Sequence, residues 1–178
     1  DRMMTSDRVW LMMPSNHPET WFTAAALMRG GRMIGYADGV QNMLVYRLDA
    51  DGDQPLTLAY GTLDRTPLAV FDGPIVNELP NAVPGETITY TPPLDLLPDA
   101  ASVGVSVSLV RGYNTVIDQW SGAPGEAGSL TLPDDALGDY LLYVTLTDRA
   151  GRPLPVWHDE VWWGNWIVAA RLAVPPTE

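Results

Sequence analysis

The chain has 178 residues, 46% of them hydrophobic, with ten Arg, no Lys, 22 Asp and Glu together, no Cys, and a formal charge of −12. Without cysteine there are no disulfides, no thiolate catalysis and no cysteine-ligated zinc or iron–sulfur centre, so stability must come from packing. The charge excludes a nucleic-acid binder, which needs clustered cations to displace phosphate counterions, and no run of eighteen apolar residues exists to cross a membrane as a helix.

Residues 1–7 are polar and aperiodic and read as a lead-in, and with Asp1 first, any signal peptide is expected to have been removed. Residues 9–13 (VWLMM) are the first strand, and 14–19 are a loop by their Pro, Ser and Asn content. The run Ala24-Ala25-Ala26-Leu27 suits a helix. Segment 21–28 is nonetheless read as strand, because 103–110 (VGVSVSLV), with which it aligns, alternates strictly and is β-branched. A turn at Arg29-Gly30-Gly31-Arg32 leads into strands at 33–37, 42–48 and 55–63. Residues 77–86 (NELPNAVPGE) mark the expected boundary between modules 1–80 and 81–178.

In the second module, strand 87–91 stops at Pro92-Pro93. Residues 94–101 read as a connection, 113–120 as strand and 121–128 (SGAPGEAG) as loop. Tyr140, Leu142, Val144 and Leu146 alternate with Leu141, Tyr143, Thr145 and Thr147, a period of two that specifies a strand. At 148–152 (DRAGR), Asp suits the start of a turn and Gly supplies positive φ. The outgoing segment 153–157 holds two Pro that lack ladder donors and is expected at a sheet edge, and 167–174 is the last strand.

These elements repeat. At a spacing of 84 residues, Leu48-Asp49-Ala50-Asp51 falls on Leu132-Pro133-Asp134-Asp135, Leu58 on Leu142, and Asp64-Arg65 on Asp148-Arg149. A small indel then aligns 67–71 with 153–157, which points to one folding unit used twice. About twelve short strands with turn signals between them and no amphipathic helix predict an all-β protein of two tandem sandwich modules.

Chemistry-bearing residues are few. Asp49, Asp51 and Asp53 crowd hard oxygen ligands as in a calcium loop, although Tyr60 stands where the helix-loop-helix pattern needs a bidentate Glu, and Asp-Gly is also an ordinary hairpin turn. His17 and His158 are the only histidines, both assigned to loops, and the sequence has no Gly-x-Ser-x-Gly elbow, so an enzyme is not expected. The seven Met offer thioethers to copper but suit irregular core gaps better. The tryptophans carry more. Trp157, Trp162, Trp163 and Trp166 lie beside His158 within ten residues, the combination of flat rings and hydrogen-bonding groups that a sugar or a protein surface binds. Core filling is the structural alternative.

The runs Pro84-Gly85-Glu86-Thr87-Ile88-Thr89-Tyr90, Val105-Ser106-Val107-Ser108-Leu109, Gly128-Ser129-Leu130-Thr131-Leu132-Pro133 and Gly138-Asp139-Tyr140-Leu141-Leu142-Tyr143-Val144 resemble bacterial surface immunoglobulin-like modules of the fibronectin type III or macroglobulin kind. The resemblance covers roughly 84–157, with a fainter echo in 9–72 where Gln54-Pro55-Leu56 replaces Gly138-Asp139-Tyr140. It implies two immunoglobulin-like sandwiches in an extracytoplasmic, cell-surface protein. The expected function is non-catalytic: a spacer or protein-docking surface, with self-association through strand edges. The alternative is a carbohydrate-binding module using Trp157, His158, Trp162, Trp163 and Trp166.

Overall fold

The computed structural model describes residues 8–14, 31–37, 43–49, 58–73, 77–98, 100, 103–112, 115–158 and 161–176, with backbone alone at 8–14, 31–37, 43–49, 158 and 161–163. The described residues are all-β, with no helix among them. Contacts divide the chain into two compact units, Asp1–Leu56 and Thr57–Glu178.

In the first unit, β1 (Arg8–Pro14), β2 (Gly31–Ala37) and β3 (Met43–Asp49) form an antiparallel sheet of order β1-β3-β2. β1 runs in unbroken register from Arg8 opposite Asp49 to Pro14 opposite Met43, while β2 carries a register shift between Met33 and Gly35. These are three of the strands expected from sequence. The expected strand at 21–28 lies outside the described residues.

The second unit holds β4 (Leu58–Gly61), β5 (Pro67–Phe71), β6 (Asn77–Glu78), β7 (Thr87–Tyr90), β8 (Leu94–Leu96), β9 (Gly104–Arg111), β10 (Thr115–Gly122), β11 (Gly128–Thr131), β12 (Gly138–Thr147), β13 (Val156–His158), β14 (Val161–Gly164) and β15 (Ile167–Val174). One sheet has the order β10-β9-β12-β15-β6, a second β14-β13-β4-β5-β8, and β11 pairs with β7 alone. Several sheets with buried facing sides are consistent with a β-sandwich.

Three expectations about individual strands change here. Residues 94–96, read as a connection, pair with β5. Segment 153–157 is not an edge: Pro153 makes only an isolated bridge to Thr147, and beyond the prolines Val156 and Trp157 are paired on both sides, to β4 and to β14. His158 ends that strand and is not in a loop. Residues 77–86 lie inside the second unit, where β4 and β5, which precede them, are bonded to β13 and β8, which follow them.

Burial explains the composition of the central strands. Tyr140, Leu142, Val144 and Leu146 point from β12 into one face with Val105, Val107 and Leu109 of β9, and all are buried. The opposite face is covered too, since Leu141, Tyr143, Val110 and Val168 are also buried. A strand covered on both faces needs apolar residues at nearly every position, which is why β12 reads Tyr-Leu-Leu-Tyr-Val without a polar interruption. Leu130 and Leu132 from the β11 segment, and Leu58, Tyr60, Ala69, Phe71 and Val156 from the second sheet, supply the remaining core.

Two turns share one chemistry. In Val83-Pro84-Gly85-Glu86 and Ala123-Pro124-Gly125-Glu126, the Glu N–H donates back to the first residue's carbonyl. The Glu carboxylate accepts that residue's N–H at 2.8 and 2.9 Å. Proline presets the second position, and Gly85 and Gly125 take the positive φ (75° and 88°) that the third requires.

Tyr60 joins the two large sheets. Its buried hydroxyl donates to the Val144 carbonyl at 2.6 Å. Burial pushes this phenol well above its usual value, against a smaller opposing backbone hydrogen bond at Ile167; burial also pushes Tyr90 and Tyr143 up to about 12. The Tyr140 hydroxyl, equally buried, has no partner.

Two outcomes follow from these phenols. Tyr60→Phe should lower stability by about 1–2 kcal/mol because it strands the Val144 carbonyl, whereas Tyr140→Phe should leave stability unchanged or raise it, because it removes an unsatisfied group; urea midpoints measure both. Raised phenol values mean the unfolded chain loses these protons first. Stability is therefore full below the unfolded value near 10 and falls as pH rises from there through about 12, visible as a declining urea midpoint alongside tyrosinate absorbance.

Candidate functional site

The tryptophan-rich segment is built on the β13–β14 hairpin. Its register sets Trp157 opposite Trp162 on one side and opposite Ala59 of β4 on the other. The half-buried Trp157 ring is committed internally. Its indole N–H donates to the Thr62 carbonyl at 3.1 Å, and the Arg65 guanidinium lies 5.7 Å from the ring centroid, in reach of a cation–π interaction. Gly61 lets the turn close, since a Cβ there would stand 2.6 Å from the Thr66 carbonyl oxygen.

Trp166 is committed elsewhere. Half-buried, it stacks on Tyr143 of the other large sheet, with centroids 4.9 Å apart and planes 20° from parallel. Such a pair contributes about 0.5–1.5 kcal/mol beyond the area it buries. The two described rings of the segment therefore serve different sheets and do not form one shared platform. The side chains of His158, Trp162 and Trp163 lie outside the described residues. So do Asp51, Asp53 and His17. Asp49 ends β3, with its backbone opposite Arg8. Among the described residues no three His, Asp or Glu side chains gather as a metal site would require.

The turn that carries Arg65 has a twin. Arg65 N–H donates to the Thr62 carbonyl and Thr62 N–H to the Thr66 carbonyl, as Gly151 donates to Asp148 and Asp148 to Arg152. The two turns correspond at a spacing of 86 residues, so Asp64-Arg65 falls on Ala150-Gly151 and not, as the sequence alignment predicts, on Asp148-Arg149. In each, a carboxylate ties the loop. Asp64 accepts from the Thr62 and Thr66 hydroxyls, and Asp148 accepts from the N–H groups of Ala150 and Arg152 and from the Arg152 side chain. Hydrogen bonds hold both acids below the usual value, chiefly from the Thr62 hydroxyl for Asp64 and from the Arg152 N–H for Asp148. The left-handed position differs: Gly151 has φ 75° and Arg65 φ 68°. An L-residue with a side chain pays roughly 1 kcal/mol there, offset by what Arg65 gains over Trp157.

One functional side chain escaped sequence reasoning. Asp118, in the strand expected at 113–120, accepts the Gln119 N–H and the Thr131 N–H at 2.8 Å each, linking β10 to β11. A lone Asp in a strand is the signal it left in sequence.

Replacing Arg65 separates backbone strain from the ring contact. Arg65→Gly should be more stable than Arg65→Ala by about 1 kcal/mol, since both lose the guanidinium but only Gly accepts the left-handed backbone freely. Urea unfolding of the two variants measures the difference.

Compared with protein-family models and with curated proteins, the chain finds no match in either.

Proposed function

We propose that this is a non-catalytic structural or interaction protein of the bacterial cell surface, acting as a spacer or as a docking surface for another protein. The carrying observation is the internal commitment of Trp157, whose N–H is bonded to Thr62 and whose face meets Arg65. A sugar platform needs a ring face held open to solvent. Trp166 supports the same reading, being stacked on Tyr143.

The immunoglobulin-like reading now attaches to residues 77–174. There β9, β12 and β15 are neighbours in one sheet, and β7 pairs with β11 in another, the order that strands C, F, G and B, E take in that fold. In this reading β4, β5, β8, β13 and β14 form an accessory sheet, and the likeness between halves reduces to one hairpin turn used twice. Surface location rests on the sequence resemblance at 84–157. In this reading function is carried by loops and strand edges.

A glycan array probed with the folded chain tests the proposal. It should stay silent, and Trp157→Phe should lower stability by about 1 kcal/mol through loss of the indole hydrogen bond. Sugar binding that disappears in Trp163→Ala would instead establish the carbohydrate-binding alternative.

A further inference from the structure

At one flank of the second unit the large sheet ends at β10 and the two-stranded sheet ends at β11. Trp120 of β10 roofs this flank, for a Cβ placed on Gly128 of β11 would come within 2.6 Å of its ring. Among the described edges of this unit β10 is the longest, with 8 residues against 4 in β14, 3 in β8 and 2 in β6. It also exposes Val116, at 56%. A long open strand with an apolar residue is a template for pairing with another chain.

Asp118 occupies one backbone donor of β10 and one of β11 on this flank. Leu132 N–H points to Glu86, the β7 side, so the adjacent Thr131 N–H faces away from β7 onto the open flank, where it meets the Asp118 carboxylate. The other oxygen of that carboxylate takes the Gln119 N–H. A register shift between Val116 and Asp118 further breaks the edge, and Glu126 takes the Ala123 N–H just past its end. One carboxylate thus occupies a donor of each sheet and places a charge where an incoming strand would lie.

We infer that Asp118 is the residue that keeps this chain from pairing edge to edge with a second copy of itself. The occupant is a second copy because an antiparallel edge is self-complementary about a two-fold axis, and that symmetry also brings the two Asp118 charges toward each other. The inference goes beyond the surface-protein proposal and does not depend on it.

Sedimentation equilibrium of the full chain tests it. Wild type should be monomeric, and Asp118→Ala, folded by near-ultraviolet circular dichroism, should self-associate at least tenfold more tightly. Adding Val116→Lys, a charge on the same edge, should return Asp118→Ala to monomer. If Asp118→Ala does not fold, Asp118→Asn, which keeps one acceptor without the charge, is read in its place with the same expectation. A dimeric wild type, a folded variant that stays monomeric, association that Val116→Lys does not relieve, or failure of both variants to fold each overturns the inference.

Discussion

The second unit depends on one buried hydroxyl. Tyr60 stands on the short strand β4, far from β12 in sequence, and its bond to the Val144 carbonyl is a buried polar link between the two large sheets. A tyrosine there supplies a large apolar body and one donor at a fixed reach, and only a specific mutual placement of the sheets satisfies it. Hydrophobic burial alone is non-directional, and would let Leu58, Ala69 and Phe71 slide over the β12 face. Tyr140 shows the contrast. It is as deeply buried, yet its hydroxyl has no partner, so it contributes bulk to the core and no registration.

Much of this architecture is written in the residues. The alternation and apolar density of 140–147, the DRAGR turn and the final strand at 167–174 are local signals, and each appears as expected. The PGE motifs are local as well: Pro, Gly and Glu at successive positions encode the φ values and the cap without reference to the rest of the chain. A repeated hairpin is a weaker signal than a repeated module. The turns at 62–66 and 148–152 match because a tight hairpin admits few solutions, and that says nothing about which sheets the flanking strands join. Pairing partners are set by non-local burial, so β4 finds β13, which lies beyond 77–86 in the chain. The prolines of 153–157 carried a correct rule to the wrong residues: they stop pairing where they stand, and Val156 and Trp157 just beyond are free to pair on both sides.

The tryptophan cluster was legible as a set of residues and illegible as a site. Proximity in sequence suggested one platform, but Trp157 lies on β13 while Trp166, in the turn before β15, stacks on Tyr143 of the other sheet. Composition does not reveal whether an indole N–H is already bonded. Arg65 was equally hidden, because a non-glycine residue at a left-handed position looks in sequence like any solvated arginine. Its meaning emerges only beside Gly151, which fills the same place in a turn without a ring to meet.

The acidic balance of the chain gains a second meaning from this geometry. Solvated charge would account for solubility, and carboxylates scattered over a surface need have no fixed partner. Yet Asp148, Glu86, Glu126 and Asp118 each accept at least one backbone N–H that no strand takes. A β-protein with many short strands has many such donors at its turns and edges, and an ionised carboxylate is the strongest acceptor a side chain offers them. By the inference above, one of them, Asp118, also guards the β10 edge against a second copy of the chain. Closing turns and discouraging edge pairing are then one use of one residue type.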